Sequence, residues 1–356
     1  MVNKTLSTFT DQVTEQLRQG MAEGRWRKTL PGRKRLAEEL GCSSWTIEGA
    51  VERLAQEGLL VSPGPGRRRQ IVLSNLQAEP RALRVMILLY EESDRLAGYM
   101  VDLLHQLQNT GHHAIFAEKT MREFKMDVRR IARFVEKTEA DAWVVVAGSR
   151  SVLEWFAEQK TPAFALFGRN RMTSLASLSL QKSEAMVQLA DRLLDLGHHR
   201  IVILTREERR KPTPAFLEQL FLDRLKERGI ATGKYNLPDW GDSPKEFRSV
   251  LDSLFQYTPP TALIVDQPSL LVAVFQHLSR LQLTAPEDVS LACTDQSESF
   301  EWFDPQVTHI SWDARPVINR VVKWADHLSR GKDIRRKNTS QVNLVLGGTV
   351  GPVARS

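Results

Sequence analysis

The chain has 356 residues, of which 42% are hydrophobic and 26% are charged, and these ordinary values exclude a disordered, collagen-like or coiled-coil chain. Its 49 Lys and Arg outnumber its 43 Asp and Glu, and the net charge of +6 suits a polyanion partner only where it is concentrated on one surface. Two cysteines form no disulfide framework, no apolar run reaches the ~18 residues of a membrane span, and the amino terminus lacks the apolar core of a signal peptide. We therefore expect a cytoplasmic protein of about two or three domains with no membrane partner.

The excess positive charge is concentrated near the amino terminus. Residues 1–76 hold 12 Lys and Arg against 8 Asp and Glu, whereas the remaining 280 residues hold 37 against 35. Six basic residues and no acidic residue lie within 25–35, and three arginines at 67–69 form a second cluster. Two clusters around one helical pattern favour a binding surface over a merely solvated one.

The hydrophobic periodicity of this region predicts three helices followed by a two-stranded hairpin. The predicted helices cover 7–23, 31–40 and 44–57, and the predicted strands cover 59–61 and 70–73. Pro31 suits the first turn of the second helix, Gly41 ends that helix, and Ser43 or Ser44 can cap the third helix by accepting a backbone N–H. This order of elements is typical of a winged helix-turn-helix.

The exposed faces of these elements predict how the region would contact DNA. With its apolar stripe buried, the third helix points Ser44, Trp45 and Glu48 outward, where they can reach base edges in the major groove. The basic residues at the start of the second helix and at the hairpin tip would meet phosphates. The candidate DNA-binding residues are Arg33, Lys34, Arg35, Ser43, Ser44, Trp45, Thr46, Glu48, Arg67, Arg68 and Arg69. The alternative is a small helical packing domain whose basic surface is only solvated.

The segment Leu30 to Val61, LPGRKRLAEELGCSSWTIEGAVERLAQEGLLV, resembles the winged helix-turn-helix of the GntR family of bacterial transcription regulators. That family commonly has L-P-S-E-R-x-L-A-x-x-L-G-V-S-R-x-T-V-R-x-A-L-x-x-L-x-x-E-G-L, and the match contains no gap. Most of the matching residues stand at core, turn or cap positions. The resemblance therefore implies the fold more strongly than it implies the base contacts.

The departures from this pattern fall on DNA-facing positions. The family's S-E-R is G-R-K at 32–34, and Ser44 and Glu48 replace two of its arginines. Glutamate accepts from the amino group of cytosine rather than donating to guanine, so we expect an operator unlike the common ones. Alternatively, Glu48 only pairs with a neighbouring cation. Trp45 either packs on a thymine methyl or a sugar, or covers its own helix.

From Leu83 onward the pattern changes to alternating strands and helices. The predicted strands cover 85–89, 113–116, 142–146, 163–167, 201–204, 262–265 and 289–293, and the predicted helices cover 97–109, 128–137, 184–196, 215–228 and 270–281. Such alternation predicts parallel sheets, and ligands bind at the carboxyl ends of parallel strands. The length of this region suits an α/β domain of two lobes with a cleft between them.

Motifs of familiar catalytic sites are absent from the sequence. It has no G-x-S-x-G elbow, no G-x-x-x-x-G-K-[ST] phosphate loop and no H-E-x-x-H metal helix. The histidine pairs at 112–113 and 198–199 are interpreted as surface or packing residues, and Cys42 and Cys293 as small apolar fillers. We expect no enzyme activity, no metal site and no cofactor.

Three segments resemble the periplasmic-binding-protein-like effector domain of the LacI/GalR regulators. LADRLLDLGHHRIVIL at 189–204 is similar to A-x-x-H-L-L-x-L-G-H-R-R-I-A-F-L, and LVLGGTVGP at 344–352 is similar to the closing segment of that family. Residues 260–295 begin with P-T-A, contain P-E-D-V-S and end on an aspartate, as in that family. The combination with a GntR-type amino terminus occurs among bacterial regulators of sugar metabolism.

Carried over by position, the resemblance implies an effector site. Asp295 matches the aspartate that binds effector hydroxyls, and Gln267 stands at the asparagine of the family's N-D pair. Trp312 falls near a polar effector contact, and Gln181 replaces a cleft aspartate. A carboxylate beside an aromatic ring suits a sugar, whose hydroxyls donate charge-assisted hydrogen bonds. Alternatively, Asp295 caps a strand end, Trp312 is core, and the cleft is vestigial or takes a ligand other than a simple sugar.

Together these features predict a dimeric transcription regulator whose operator binding is modulated by a small-molecule effector of carbohydrate type. The expected organisation is a winged helix-turn-helix domain at 1–76, a polar linker at 77–83 and a two-lobed effector-binding and dimerisation domain at 84–356. The expected partners are double-stranded operator DNA, the effector and a second copy of the chain. The alternatives are a solute-binding protein of sugar transport and an α/β enzyme with an unrecognised site.

Overall fold

The computed structural model describes residues 9–22, 25–26, 28–62, 64, 68–72, 81–241 and 243–354. The chain divides into two units, the first holding residues up to Ala82 together with Ala325–Asp333, and the second holding Leu83–Trp324 and Ile334–Ser356. Most of the linker predicted at 77–83, up to residue 80, lies outside the described residues.

The first unit has the predicted order of three helices and a hairpin. Its elements are α1 (Phe9–Ala22), α2 (Arg33–Leu40), α3 (Ser44–Gln56), β1 (Leu60–Val61) and β2 (Gln70–Ile71). The strands β1 and β2 pair antiparallel, and Thr29 bridges to Gln70 on the other side of β2. Gly41 ends α2 in the left-handed conformation at φ 62°, where glycine has no steric penalty.

The predicted apolar stripes form the core of this unit. Ser43 caps α3, because its side-chain oxygen accepts from the backbone N–H of Thr46 at 3.0 Å. The helices α1, α2 and α3 and the hairpin share one buried cluster, which includes Val13, Leu17, Leu36, Ile47, Ala50, Leu54 and Ile71. A strand pair this short needs the helices for its stability.

The second unit alternates strands and helices through most of its length. Its strands are β3 (Arg84–Leu88), β4 (His113–Phe116), β5 (Ala142–Val146), β6 (Ala163–Leu166), β7 (Ala176–Leu180), β8 (Ile201–Leu204), β9 (Ala262–Val265), β10 (Ser290–Cys293), β11 (Thr308–Trp312), β12 (Lys337–Ser340) and β13 (Val342–Val345). Its helices are α4 (Gly98–Asn109), α5 (Val128–Lys137), α6 (Arg150–Ala157), α7 (Ser183–Asp195), α8 (Glu207–Arg210), α9 (Phe216–Glu227), α10 (Pro244–Tyr257), α11 (Pro268–Arg280) and α12 (Ala314–Ser329), of which the residues from Ala325 onward are counted in the first unit. Two short 3₁₀ helices cover Glu92–Leu96 and Glu298–Trp302.

The strands form two sheets, one in each of two lobes. The six-stranded sheet has the order β12-β7-β6-β5-β3-β4 and is parallel throughout. The five-stranded sheet has the order β13-β11-β10-β9-β8, with only β13 antiparallel. The chain passes between the lobes after β7, after β11 and after β12. The predicted two-lobed α/β fold with parallel sheets is confirmed.

The helices cover both faces of each sheet, which explains the continuous apolar strands. All residues of β5, β8 and β9 are buried, as expected for parallel strands between two helix layers. The helices α7 and α9 share one apolar cluster with β8, whereas α10 and α11 share another that lies on the opposite face of this sheet. The strands β7, β11, β12 and β13 were not predicted.

None of the helices within the described residues is both long and apolar enough to cross a membrane.

Candidate functional site

The two sheets turn their carboxyl-terminal strand ends toward the cleft between the lobes. Asp295 follows β10 and Trp312 ends β11, and the indole Nε1 of Trp312 donates to Asp295 Oδ1 at 3.1 Å. Asp295 is 35% exposed, and its Oδ2 has no hydrogen-bond partner among the described residues. The structure therefore brings together two of the predicted effector residues and leaves one carboxylate oxygen able to accept from a ligand.

Three aromatic rings from the two lobes meet beside this carboxylate. The ring centroid of Trp312 lies 5.0 Å from that of Tyr99 on α4 and 5.4 Å from that of Phe167, which follows β6. Both contacts are edge-to-face, an arrangement that aromatic quadrupoles favour. Burial, aided by the charges of Asp94 and Asp295, raises the pKa of Tyr99 above its ordinary value, so the phenol stays neutral.

Charged side chains surround the aromatic rings. Lys182 follows β7, and its Nζ donates to the carbonyl oxygen of Thr294 at 2.6 Å and lies 3.7 Å from Asp295 Oδ1. Burial lowers the pKa of Lys182, while the charge of Asp295 acts in the opposite direction. The ammonium of Lys182 and the carboxylate of Asp295 thus form an ion pair between the two lobes.

A second ion pair lies at the ends of β8 and β9. The guanidinium of Arg206 donates through Nε to Asp266 Oδ2 at 3.2 Å and stacks 4.7 Å from the centroid of the Tyr90 ring. Burial acts to lower the pKa of Arg206, but the charge of Asp266 and its acidic neighbours raise it above the ordinary value. Asp266 is buried, and its Oδ1 has no partner among the described residues.

The other two predicted effector residues lie apart from the Asp295–Trp312 pair. Gln267 donates through Nε2 to Glu91 Oε1 at 3.0 Å, so it joins the end of β9 to the segment after β3 in the other lobe. Gln181 is exposed at a crossing between the lobes, where its Oε1 accepts from Gln341 at 3.1 Å. Gln267 thus bridges the two lobes, and Gln181 lies where the chain crosses between them.

Several polar and aromatic residues of the cleft were not predicted from the sequence. The missed residues are Tyr90, Tyr99, Phe167, Lys182, Arg206 and Asp266. All except Tyr99 come within two residues of the end of a parallel strand. The rule that ligands meet the carboxyl ends of such strands would have identified them once the strand ends were known.

In the first unit, α3 presents Trp45 to solvent. Its side chain is 88% exposed, so it does not cover its own helix, which was one of the two interpretations of this residue. Ser43 and Thr46 bond to each other at 2.8 Å within the cap of α3. Their hydroxyls are therefore held at the start of the helix rather than projecting from its outer face.

The side-chain contacts of Glu48 do not support the role expected for it, which is to read a base. Its Oε2 lies 2.8 Å from Arg33 on α2, and its Oε1 lies 3.1 Å from Arg69 beside the hairpin. Both carboxylate oxygens are thus engaged by cations, which is the alternative considered for this residue. The physical reason is proximity, because the start of α2 and the hairpin both approach the outer side of α3.

The remaining predicted DNA-binding residues are distributed over the same unit. Arg35 donates through Nε to Glu39 Oε1 at 2.9 Å, and Lys34 and Arg68 are exposed. Ser44 is half-buried in the first turn of α3. Arg67 lies outside the described residues.

The comparisons with known proteins concern mainly the second unit. Residues 190–350 match the family model of the periplasmic binding protein-like domain. A LacI family regulator from Enterococcus faecium with bound ribose aligns with a TM-score of 0.59 at 14% identity, over 76% of this chain and 99% of that one. A LacI family regulator from Bifidobacterium animalis subsp. lactis aligns with a TM-score of 0.61 at 17% identity, over 78% of this chain and 100% of that one.

A third solved structure extends further along the chain. The complex of the transcriptional regulator CelR with cellobiose aligns with a TM-score of 0.61 at 13% identity, over 90% of this chain and 100% of that one. The comparison with curated proteins gave no match. At these identities the likeness establishes the fold, which is the two-lobed periplasmic-binding-protein-like architecture. No comparison supports the GntR-type resemblance of residues 30–61, and it stays a prediction.

The described residues contain no cluster of three or more His, Cys, Asp or Glu side chains able to hold a metal ion.

Proposed function

We propose that this protein is a DNA-binding transcription regulator whose affinity for its operator responds to an effector of sugar type. The observation that carries the proposal is the pairing, on one chain, of a basic helix-turn-helix-hairpin unit with a two-lobed cleft domain. Solved regulators that share the cleft fold contain ribose or cellobiose. Such a regulator acts in the cytoplasm and is no enzyme.

The first unit is the proposed DNA-binding domain, a winged helix-turn-helix of the GntR type at residues 1–76. Its support is the short turn between α2 and α3, the hairpin that follows, and the gapless pattern at 30–61. In this arrangement α3 lies in the major groove with Trp45 toward the base edges, and Lys34 and the hairpin arginines contact phosphates. A dimer would place two such units on the half-sites of a pseudo-palindrome.

The cleft of the second unit is the proposed effector site. Asp295 Oδ2 would accept hydrogen bonds from sugar hydroxyls, and such charge-assisted bonds are the strong ones. The partly exposed rings of Tyr99 and Phe167, packed on buried Trp312, would offer the apolar surface that the C–H face of a sugar needs. Because these rings come from both lobes, a ligand among them would couple its binding to the distance between the lobes.

The test uses the full chain and a duplex selected by it from a random-sequence pool. Affinity for this duplex is measured alone and with ribose, cellobiose and a panel of further sugars, and sugar binding is measured separately by calorimetry. We expect at least one sugar to bind and to change the duplex affinity, and Asp295→Asn to weaken the sugar without weakening the duplex. The matched control is Asp223→Asn, which removes an exposed carboxylate from α9, outside the cleft.

Sugar binding without any duplex binding would instead favour the solute-binding alternative. Duplex binding that no bound sugar alters would refute the effector part of the proposal.

A further inference from the structure

The first unit contains a depression of about 430 Å³ lined largely by arginines and by the segment that leads into α2. We call it the arginine pocket. Its lining residues are Arg25, Trp26, Thr29, Pro31, Gly32, Arg35, Glu39 and Arg68. No residue of α3 is among them, so the pocket is separate from the helix face proposed to meet the bases.

Backbone pairing builds one wall of the pocket. The N–H of Leu30 donates to the carbonyl of Arg69 at 3.0 Å, and the N–H of Ile71 donates to the carbonyl of Lys28 at 2.9 Å. Residues 28–30 therefore run alongside β2 as an additional short strand. This pairing sets Thr29 opposite Gln70, and it brings Arg68, two residues before Gln70, to the same rim as Thr29 and Pro31.

The start of α2 forms the opposite wall. Pro31 and Gly32 lead into the helix, and Gly32 provides no side-chain cap for its first N–H groups. The first N–H groups of a helix have no partner within it, and together with the helix dipole they favour an anion. The eight residues of α2 thus point an uncapped, partially positive end toward the arginines.

Two of the three arginines, Arg25 and Arg35, are held in place by one carboxylate and one ring. Glu39 accepts from Arg35 Nε at 2.9 Å and lies 3.6 Å from Arg25 NH2. Arg25 also stacks 5.0 Å from the centroid of the Trp26 ring. Arg68 is exposed and has no ion pair among the described residues. Among the described lining residues, three guanidinium groups against one carboxylate leave a net charge of two positive units.

We propose that the arginine pocket binds a phosphate group, which in the DNA complex is one backbone phosphodiester per half-site. Several planar N–H forks and a helix amino end are the donors that phosphate oxygens accept from most favourably. This inference rests on the proposed DNA-binding function for the source of the phosphate. Its consequence is that the pocket sets the register of α2 and α3 along the groove without reading any base.

The decisive experiment neutralises single phosphates of the selected duplex by methylphosphonate substitution and measures the affinity of the full-length protein. We expect one position in each half-site to cost the wild type about tenfold or more, as for loss of a charged hydrogen bond. The double variant Arg25→Gln/Arg68→Gln should show no loss there, and its salt slope should be smaller by about 0.9.

The control variant is Arg18→Gln/Arg53→Gln, which removes two arginines whose partners, Glu57 and Asp11, lie outside the pocket. We expect it to keep the wild-type pattern of methylphosphonate effects. A pattern that is the same for the pocket variant and the wild type would overturn the proposal. Circular dichroism of both variants, compared with the wild type, shows whether either has lost its fold.

A second arm uses inorganic phosphate on the protein without DNA. At constant ionic strength, phosphate in place of chloride should raise the melting temperature of the wild type and leave that of the pocket variant unchanged. Phosphate stabilisation with no sensitive backbone position supports a pocket for free phosphate and overturns its role on DNA. No stabilisation and no sensitive position overturn the pocket altogether. If the wild type binds phosphate but no duplex, the proposed DNA-binding function is refuted, whereas phosphate binding by the pocket is supported.

Discussion

Glu48→Gln tests the reassignment of Glu48 most sharply, because it removes the charge and keeps the size of the side chain. Glu48 holds Arg33 and Arg69, with side chains that are 36%, 58% and 28% exposed. Ion pairs this exposed contribute about 0.2–1 kcal/mol each, so the free energy of unfolding should fall by at most about 2 kcal/mol. The fold of the first unit should therefore survive the substitution.

Glu48→Gln should strengthen DNA binding, although it weakens the fold. Two guanidinium groups released from Glu48 become available to phosphates, and each new contact steepens the dependence of log Kobs on log salt by about 0.9. We expect tighter binding of the variant to every duplex at low salt, with unchanged base preference. Titrations by fluorescence anisotropy at several salt concentrations, on the selected duplex and on an unrelated one, measure both quantities.

Glu38→Gln is the matched control, because it removes the same charge from exposed α2 without releasing a known ion pair. Its salt slope should stay close to that of the wild type. If Glu48→Gln instead changed the preference at one base pair and left the salt slope unchanged, Glu48 would be a base reader and the reasoning from its ion pairs would be refuted.

A buried ion pair, an exposed tryptophan and two buried histidines give three further tests. Glu218 is 1% exposed and accepts from the guanidinium of Arg209 at 2.5 and 3.2 Å. Glu218→Gln should therefore lower the free energy of unfolding, measured by denaturant titration, by about 3–5 kcal/mol. A loss below about 1 kcal/mol would contradict the pairing. If exposed Trp45 packs on a thymine methyl, replacing one thymine per half-site by uracil should weaken binding of the wild type and leave Trp45→Ala unaffected, whereas equal losses in both proteins would exclude this contact. Burial lowers the pKa of His198 and His277 below the ordinary value of 6.5. Below about pH 6.5 the unfolded chain therefore binds protons that the folded chain does not, and the melting temperature of the protein should drop between about pH 7.5 and 5.5. A melting temperature that does not depend on pH would count against buried neutral histidines.

The strands of the fold could be predicted where a buried strand consists of consecutive apolar residues. The runs AWVVV of β5 and IVIL of β8 are apolar throughout because helices cover both faces of their sheets. The strand β7 has the sequence ASLSL and edge strand β12 has KNTS, and neither forms an apolar run. Their strand character comes from pairing with distant neighbours, which no local pattern indicates.

The candidate site was predictable only where a resemblance pointed to it. Asp295 and Trp312 were predicted in this way, and they contact each other. Lys182 and Arg206 are single charged residues in the sequence. Their partners, Asp295 and Asp266, come close to them only because the ends of several strands meet in the fold. The ion pair between Glu48 and Arg69 joins residues 21 positions apart across a hairpin, so the reassignment of Glu48 required the structure.

The most direct test of the account is the affinity of the full chain for its selected duplex, with and without a sugar that calorimetry shows to bind. A regulator with coupled sites should show strongly salt-dependent duplex binding that the sugar shifts by about 5–150-fold, and the duplex should shift the sugar affinity by the same factor. Equal duplex affinity with and without every bound sugar, or no duplex binding at low salt, would contradict it.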